Sequence, residues 1–271
     1  MTGRLAAVAA TIALLMFLAA PLAWTLVASL TPEEQLFDHP AALPRDPGFD
    51  HYRALFDERN FLVPVRNSLI VAGLTTALAV PIGALAAYAI ARLRFRGKAA
   101  LLAFVLAISM FPQISLVPPL YLLLRELGLI DTYPGLVLPY LTFAMPLTIW
   151  LMVAFFRQLP RELEEAAMMD GAGRLRVLLE IVLPIAWPGI AATAILVFLY
   201  SWNEFLFALS FTIGPERQTV PVAIALFRGR YQVPWGQVLA AAMVASVPVM
   251  LLVLLFQRRI VQGLTAGAVK Q

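Results

Sequence analysis

The stretch EEAAMMDGAGRLRVLLEIVLP, residues 164–184, carries charges and glycines although the sequence on both sides of it is apolar. Of the 271 residues, 61% are hydrophobic and 13% are charged, and the mean hydropathy is +0.84. Soluble domains have about 45–50% apolar and 25% charged residues. The composition therefore predicts an integral membrane protein in which residues 164–184 form a polar connection.

Six long runs contain no charged residue: 5–32, 67–91, 99–124, 132–156, 181–203 and 231–257. Each exceeds the roughly 20 residues that a helix needs to cross a bilayer. Since backbone polar groups find no water in hydrocarbon, such runs must be helical. The sequence predicts an all-α membrane protein with one transmembrane domain over 1–271 and spans at about 5–30, 67–91, 99–124, 134–156, 185–212 and 235–257.

Basic residues cluster before the first run, between the second and third, between the fourth and fifth, and after the sixth. Short connections rich in Lys and Arg stay on the cytoplasmic side of a membrane. Both termini and residues 164–184 are therefore predicted to be cytoplasmic. The net charge of +4 is attributed to flanks that meet anionic lipid, so no nucleic-acid partner is inferred.

The polar stretch has the pattern of a helical hairpin. Pro160 suits a first helical turn, and glycines supply a break in the middle. The second arm places one apolar stripe at helical spacing: Leu175, Leu178, Leu179 and Val182. Two interpretations stay open on these grounds, a solvated loop lying on the membrane and a surface that docks in another protein's groove.

The order Glu165, Ala166, Ala167, then Gly171, then Ile181, Leu183 and Pro184 resembles the EAA loop of permease subunits of bacterial ABC importers. Further segments are similar to the carbohydrate-uptake branch found in maltose and trehalose importers: 67–98, FPQISLVPPLYLL at 111–123, LGLIDTYPGL at 127–136, WNEF at 202–205 and QGLTAGAVKQ at 262–271. The likeness covers most of residues 50–271. The final Gln271 departs from it, since glycine is expected there.

The resemblance implies a type I ABC importer permease in the bacterial inner membrane. Its partners would be a second homologous permease, a cytoplasmic ATPase dimer that holds ATP and Mg, and an external sugar-binding protein. Within the loop at 157–184, the resemblance assigns ATPase coupling to Glu164, Glu165, Ala166, Ala167, Asp170, Gly171 and Ala172. In the tail at 258–271, it assigns contact with the ATPase interface to Gly267, Ala268, Val269 and Lys270.

This chain is not expected to hydrolyse ATP or to be an enzyme. Its one Gly-Lys pair, Gly97-Lys98, precedes Ala99, whereas a P-loop needs Ser or Thr there. No cofactor or metal site is predicted. The chain has no cysteine, and His39 and His51 are expected to be isolated, solvated loop residues.

Polar residues inside the apolar runs are candidates for lining a solute pathway. Glu204, beside Asn203, directly follows the fifth run and lies within the predicted span 185–212, where a buried charge is costly. It would either line the pathway or lie near the outer headgroups. Gln113 and Ser115 are flanked by prolines that predict a kinked third helix, whose freed carbonyls would serve a cavity or be satisfied by neighbouring helices.

Two features belong to the outer side of this topology. Asn67 is expected to cap the second helix, and FDHYRALFDERNF, residues 49–61, is expected to be amphipathic. The predicted function is that of a permease subunit which, with a second chain, forms the path for a sugar such as trehalose or maltose. The alternative is an ion-coupled secondary transporter that acts through Glu204 without an ATPase.

Overall fold

The computed structural model describes residues 2–38, 44, 46–227 and 233–266, and within these ranges it is helical with no strand. The helices in chain order are α1 (Thr2–Ser29), α2 (Glu33–Asp38), α3 (Asp50–Asp57), α4 (Leu62–Arg92), α5 (Lys98–Ser109), α6 (Gln113–Glu126), α7 (Tyr133–Gln158), α8 (Glu162–Met169), α9 (Arg174–Val177), a π-helix (Leu178–Val182), α10 (Leu183–Ile185), α11 (Trp187–Trp202), α12 (Leu206–Phe211), α13 (Val220–Ala225) and α14 (Trp235–Ala266). This confirms the all-α class.

Four helices in the described ranges are long and apolar enough to cross a membrane: α1, α4, α7 and α14. Two bent pairs, α5 with α6 and the segment Arg174–Ile185 with α11, raise the number to six if each pair is one span. The six apolar runs thus correspond to four uninterrupted helices and two bent helix pairs.

The third run, predicted as one kinked span over 99–124, is two helices that meet at 89°. The break falls at Met110–Pro112, where Pro112 adopts an extended ψ of 117° and precedes α6. A proline also restricts the residue before it to extended backbone, which ends α5. Pro118 and Pro119 lie inside α6, so they do not make the break.

The fifth span, predicted over 185–212, is also interrupted. Helix α11 ends at Trp202 and α12 begins at Leu206, with Asn203, Glu204 and Phe205 between them. At its other end, α11 bends by 80° from the segment that precedes it. The polar pair Asn203-Glu204 therefore marks a helix break inside an apolar run.

The contacts divide the chain into two compact units: Met1–Val63 with Ala223–Pro248, and Pro64–Val222 with Val249–Gln271. Long-range packing is concentrated in the second unit, where α7 lies against α11 and α5. The first unit holds α1, of which none of the apolar span is buried. Hydropathy identifies such a helix but contains no information about which helices pack together.

In the first unit, the segment after α1 packs against the start of α14. The carboxylate of Glu33 accepts hydrogen bonds from the backbone N–H groups of Trp235 and Gly236, both at 2.9 Å, which suits an anion at a helix N-terminus. His51 is half-buried in α3 with Nε2 2.8 Å from the Thr31 carbonyl, so the prediction of a solvated loop histidine was wrong. His39 lies outside the described residues.

Asn67 does not cap a helix as predicted, because α4 begins at Leu62 and contains Asn67 in its interior. The charge of Arg66 ended the apolar run, but it did not end the helix. The fully buried Asn67 amide donates to the carbonyls of Glu216 at 2.8 Å and Gln218 at 2.9 Å, and accepts from the Tyr133 hydroxyl at 2.8 Å. It fixes the segment after α12 against α4.

The last helix also differs from its predicted range of 235–257. Helix α14 continues to Ala266, through residues that were predicted to form the tail. Basic residues end an apolar run without ending a helix. Gly267, Ala268, Val269 and Lys270 lie outside the described residues.

Candidate functional site

Residues 162–182 form a hairpin of two short helical arms. In the first arm, α8 closes with hydrogen bonds from the Gly171 N–H to the Met168 carbonyl at 3.1 Å and from the Ala172 N–H to the Ala167 carbonyl at 3.0 Å. Gly171 has a φ of +86°, the left-handed conformation that glycine adopts without strain. Gly173, in extended conformation, then begins α9. The predicted hairpin turn therefore lies at Gly171.

The second arm buries a different face from the predicted stripe. Val177, Leu178 and Val182 are buried in a core formed with α4 and α7, whereas Leu175 and Leu179 are exposed. The π-helix at Leu178–Val182 widens this arm, so that Val177 and Val182, five residues apart, share the buried side. The four leucine and valine positions of the predicted stripe are therefore split between a buried pair and an exposed pair.

The inner face of the hairpin includes Glu164. Its carboxylate Oε1 lies 2.6 Å from Nε of Arg92, the last residue of α4, and its Oε2 accepts from the Tyr88 hydroxyl at 3.0 Å. The Arg92 and Glu164 side chains are only 5% and 8% exposed. Arg92 also donates to the carbonyl of Leu159 at 2.8 Å, just beyond the end of α7. Glu164 is therefore committed to its own chain.

The outer face of the hairpin consists of Glu165, Ala166, Met169, Asp170 and Gly171, all exposed. Met169 is 88% exposed, the largest exposed fraction among the large apolar residues of the described chain. Ala167 and Ala172 are half-buried and pack against the inner core. The residues assigned together from the sequence thus divide into an inner and an outer set.

A second polar group lies at the two helix breaks. The Gln113 amide, at the start of α6, donates to the hydroxyl of Tyr200 on α11 at 2.7 Å. An open pocket of about 580 Å³ is lined by both residues together with Asn203, Glu204 and apolar side chains. The structure therefore brings Gln113, Asn203 and Glu204 together, while Ser115 is exposed and is not in the lining.

Glu204 has a clear local role at this pocket. Its two carboxylate oxygens accept from the backbone N–H groups of Phe207 at 2.8 Å and Ala208 at 3.1 Å, so the side chain caps α12. The residue is only 6% exposed. Its neighbour Asn203 donates its side-chain amide to the carbonyl of Leu199 at 2.8 Å and also lines the pocket. The capping bonds explain how an acidic residue is retained in an apolar run.

Three site residues were missed from the sequence: Tyr88, Arg92 and Tyr200. The spacing of Tyr88 and Arg92 could have indicated a shared polar site, because residues four apart lie on the same face of a helix. Arg92 was counted only as one of a basic cluster that sets orientation. Tyr200 carried no signal, since a tyrosine in an apolar helix most often packs in the core.

The hairpin and the helix breaks lie within a stretch that matches a known protein family. Residues 79–266, which include the hairpin, both breaks and all of α14, match the family described as binding-protein-dependent transport system inner membrane component. The chain belongs to this family. The permease shares 47% identity with the trehalose transport system permease protein SugB of Mycobacterium tuberculosis over 92% of both chains. It shares 43% identity with the trehalose/maltose transport system permease protein MalG of Thermococcus litoralis, over 92% of this chain and 91% of that one.

Solved structures agree in fold. The permease superposes with a TM-score of 0.76 on a chain from the crystal structure of a bacterial ABC transporter involved in the import of the acidic polysaccharide alginate, covering 95% of this chain and 97% of the other. The two sequences are 22% identical. The permease therefore has the fold of an ABC importer permease.

Proposed function

We propose that this chain is a permease subunit of an ATP-driven importer, and that it forms a translocation path together with a second, homologous permease chain. The cargo is a sugar, and a disaccharide of the trehalose or maltose type fits the names of its relatives. A solute-binding protein outside the membrane delivers it. Two copies of an ATPase on the other side bind ATP and Mg, while this chain binds no cofactor.

The observation that carries the proposal is the two-sided hairpin. Its outer face presents Glu165, Ala166 and Met169 to solvent, whereas its inner face is held by α4 and α7. A surface that combines the small side chain of Ala166, an exposed methionine and an adjacent carboxylate suits docking into a groove that contains a basic residue. A force applied to the outer face would reach two membrane helices through the inner face.

The orientation in the membrane follows from charge. The hairpin and the segment after α4 hold exposed arginines, among them Arg94, Arg96 and Arg176. Under the positive-inside rule, this end faces the cytoplasm and both termini lie inside. The hairpin then meets the ATPase, and residues 216–218, which Asn67 holds against α4, face the binding protein.

Solute contact is assigned to the pocket at the helix breaks. Gln113, Tyr200 and Asn203 offer amide and hydroxyl groups, which can replace the water bound to sugar hydroxyls. Glu204 would shape this pocket by holding α12 in place rather than by carrying an ion. Since both of its oxygens accept backbone N–H bonds, the geometry favours the importer over an ion-coupled transporter.

The test is purification through a tag on this chain, from detergent-solubilised membranes of its source. We expect an ATPase and a second permease to co-purify. In proteoliposomes with ATP on the hairpin side, the complex should take up labelled trehalose or maltose when the binding protein is present. Uptake at full rate by this chain alone, without ATP, would refute the proposal.

A matched pair of variants tests the outer face. Glu165→Trp should abolish ATP-driven uptake while membrane insertion is unchanged, because a bulky side chain blocks the docking surface. Glu180→Trp, at an exposed position of the second arm, is the control and should retain uptake. Equal uptake by both variants would remove the outer face from the mechanism.

A further inference from the structure

The contacts of Arg92 connect three separate elements of the permease. Its guanidinium meets Glu164 in the first turn of α8 and the carbonyl of Leu159 beyond α7, while Arg92 itself ends α4. Tyr88, one turn earlier on α4, donates to the same Glu164 carboxylate. The first turn of the hairpin is thereby tied to the ends of two membrane helices at one point.

This pair is costly to build, and its burial distinguishes it from ordinary surface ion pairs. Removing two charges from water is expensive, and a buried ion pair is therefore weak evidence for stability alone. Where such pairs are retained, they can fix one arrangement out of several similar ones. The neighbouring core of Ala167, Val177 and Val182 is apolar and supplies no directional contact. Glu164 supplies one, the hydrogen bond from the Tyr88 hydroxyl to Oε2, and adds the charge contact of Oε1 with Arg92.

We propose that Arg92, Glu164 and Tyr88 form a positioning clamp that makes the hairpin, α4 and the end of α7 move as one body. The inference rests on the proposed function, since it concerns how motion at the hairpin reaches the membrane helices. The clamp gives the two adjacent glutamates of the hairpin different roles. Glu165 faces the partner, and Glu164 locks the hairpin to its own chain.

The clamp predicts uncoupling rather than loss of docking. Without it, the outer face would still bind the ATPase, but the hairpin would shift against α4 when the ATPase moves. ATP hydrolysis would continue while sugar transport falls. A residue with only a structural role would instead lower the amount of assembled complex and leave the ratio of sugar moved to ATP hydrolysed unchanged.

The experiment measures that ratio in proteoliposomes containing the whole transporter, purified through a tag on this chain. Glu164→Gln should lower the sugar transported per ATP at least tenfold, with the ATPase still co-purifying. Glu180→Gln is the matched control, because Glu180 pairs with Arg176 at 2.8 Å on the same hairpin but both side chains are more than half exposed. Its ratio should stay within twofold of the wild-type value.

Charge exchange supplies the rescue. The double variant Arg92→Glu with Glu164→Arg restores opposite charges at the same place and should recover several-fold of the ratio that either single variant loses. A Glu164→Gln transporter with a wild-type ratio would overturn the clamp while leaving the proposed function intact. A wild-type complex without ATP-driven uptake would instead overturn the proposed function.

A second measurement uses a milder variant, in case the charge variants fail to assemble. Because the chain has no cysteine, spin labels can be attached to cysteines introduced at Leu175 on the second arm of the hairpin and Leu85 on α4, both exposed. The distance distribution should be narrow in the otherwise wild-type transporter and broader in Tyr88→Phe, which removes one hydroxyl and keeps the ion pair. An unchanged distribution, together with an unchanged transport ratio for Tyr88→Phe, would overturn the proposal.

Discussion

A close approach of α4 to α7 predicts the effect of adding a single methyl group. A Cβ on Gly83 of α4 would overlap Cγ2 of Thr148 on α7 and lie 3.1 Å from the Thr148 Cβ. A Cβ on Gly73 of the same helix would meet nothing within 4 Å. Gly83→Ala and Gly73→Ala therefore make the same chemical change in the same helix, once in a packed place and once in an open one.

The expected magnitudes follow from two opposing effects. Replacing a helical glycine by alanine favours the helix by about 0.5–1 kcal/mol. Overpacking a tight contact costs about 1–3 kcal/mol. The helix preference cancels between the two variants, so Gly83→Ala should be less stable than Gly73→Ala by about 1–3 kcal/mol.

The assay is unfolding of the permease in mixed micelles with increasing SDS, followed by tryptophan fluorescence. Thr148→Ser removes Cγ2 but keeps the hydroxyl that donates to the Ala144 carbonyl at 2.7 Å. Combined with Gly83→Ala, it should recover most of the lost stability. Equal unfolding free energies for Gly83→Ala and Gly73→Ala would refute the close approach of α4 and α7.

Three further predictions concern the hairpin turn at Gly171, the cap of α12 and the segment at 216–218. Gly171→Ala places an alanine in the left-handed conformation of the turn, which costs about 1–2 kcal/mol, so it should weaken ATPase co-purification. Gly173→Ala should not weaken it, because Gly173 has a negative φ. Glu204→Ala removes the cap of α12, worth about 0.5–2 kcal/mol, and should change sugar uptake more than ATPase co-purification. Asn67→Ala leaves two carbonyls without their partner at a cost of about 1–3 kcal/mol each, and should lower the thermal midpoint more than Tyr133→Phe.

Each of these predictions has a contrary outcome. Equal ATPase co-purification with Gly171→Ala and Gly173→Ala would mean that the turn geometry is not what the partner needs. An unchanged uptake rate and sugar profile in Glu204→Ala would remove Glu204 from the solute pocket. A thermal midpoint for Asn67→Ala no lower than that of Tyr133→Phe would show that the segment at 216–218 is held by other contacts.

Hydropathy was sufficient for the class of protein and for the position of each apolar helix. Burial of backbone groups in lipid forces helicity, so a long run without charge determines one element. The same reasoning failed at run edges, where Arg66 was taken to precede a helix that in fact contains it. It also missed the interruption near Asn203, because a helix break does not change the mean hydropathy of the run that contains it.

The hairpin could be located from its glycines, but its two faces could not be distinguished. Glu164 and Glu165 are chemically identical neighbours, and only the position of Arg92, far away in the sequence, determines which of them turns inward. Similarly, the amide of Gln113 gave no indication of its partner Tyr200 on a different helix. Pairings between distant elements depend on packing, which a single sequence does not specify.

The wide turn at Leu178–Val182 acts as one additional residue inserted into an otherwise regular helix. Deleting a single residue there would restore the ordinary pitch and leave the helix on both sides of the turn in the same angular register. Deleting a residue of the regular helix before the turn would instead rotate the preceding part of the hairpin by about 100°, the angle that each α-helical residue adds. The wide turn is therefore the place in this arm where a one-residue change in length should leave the direction of Glu165 unchanged.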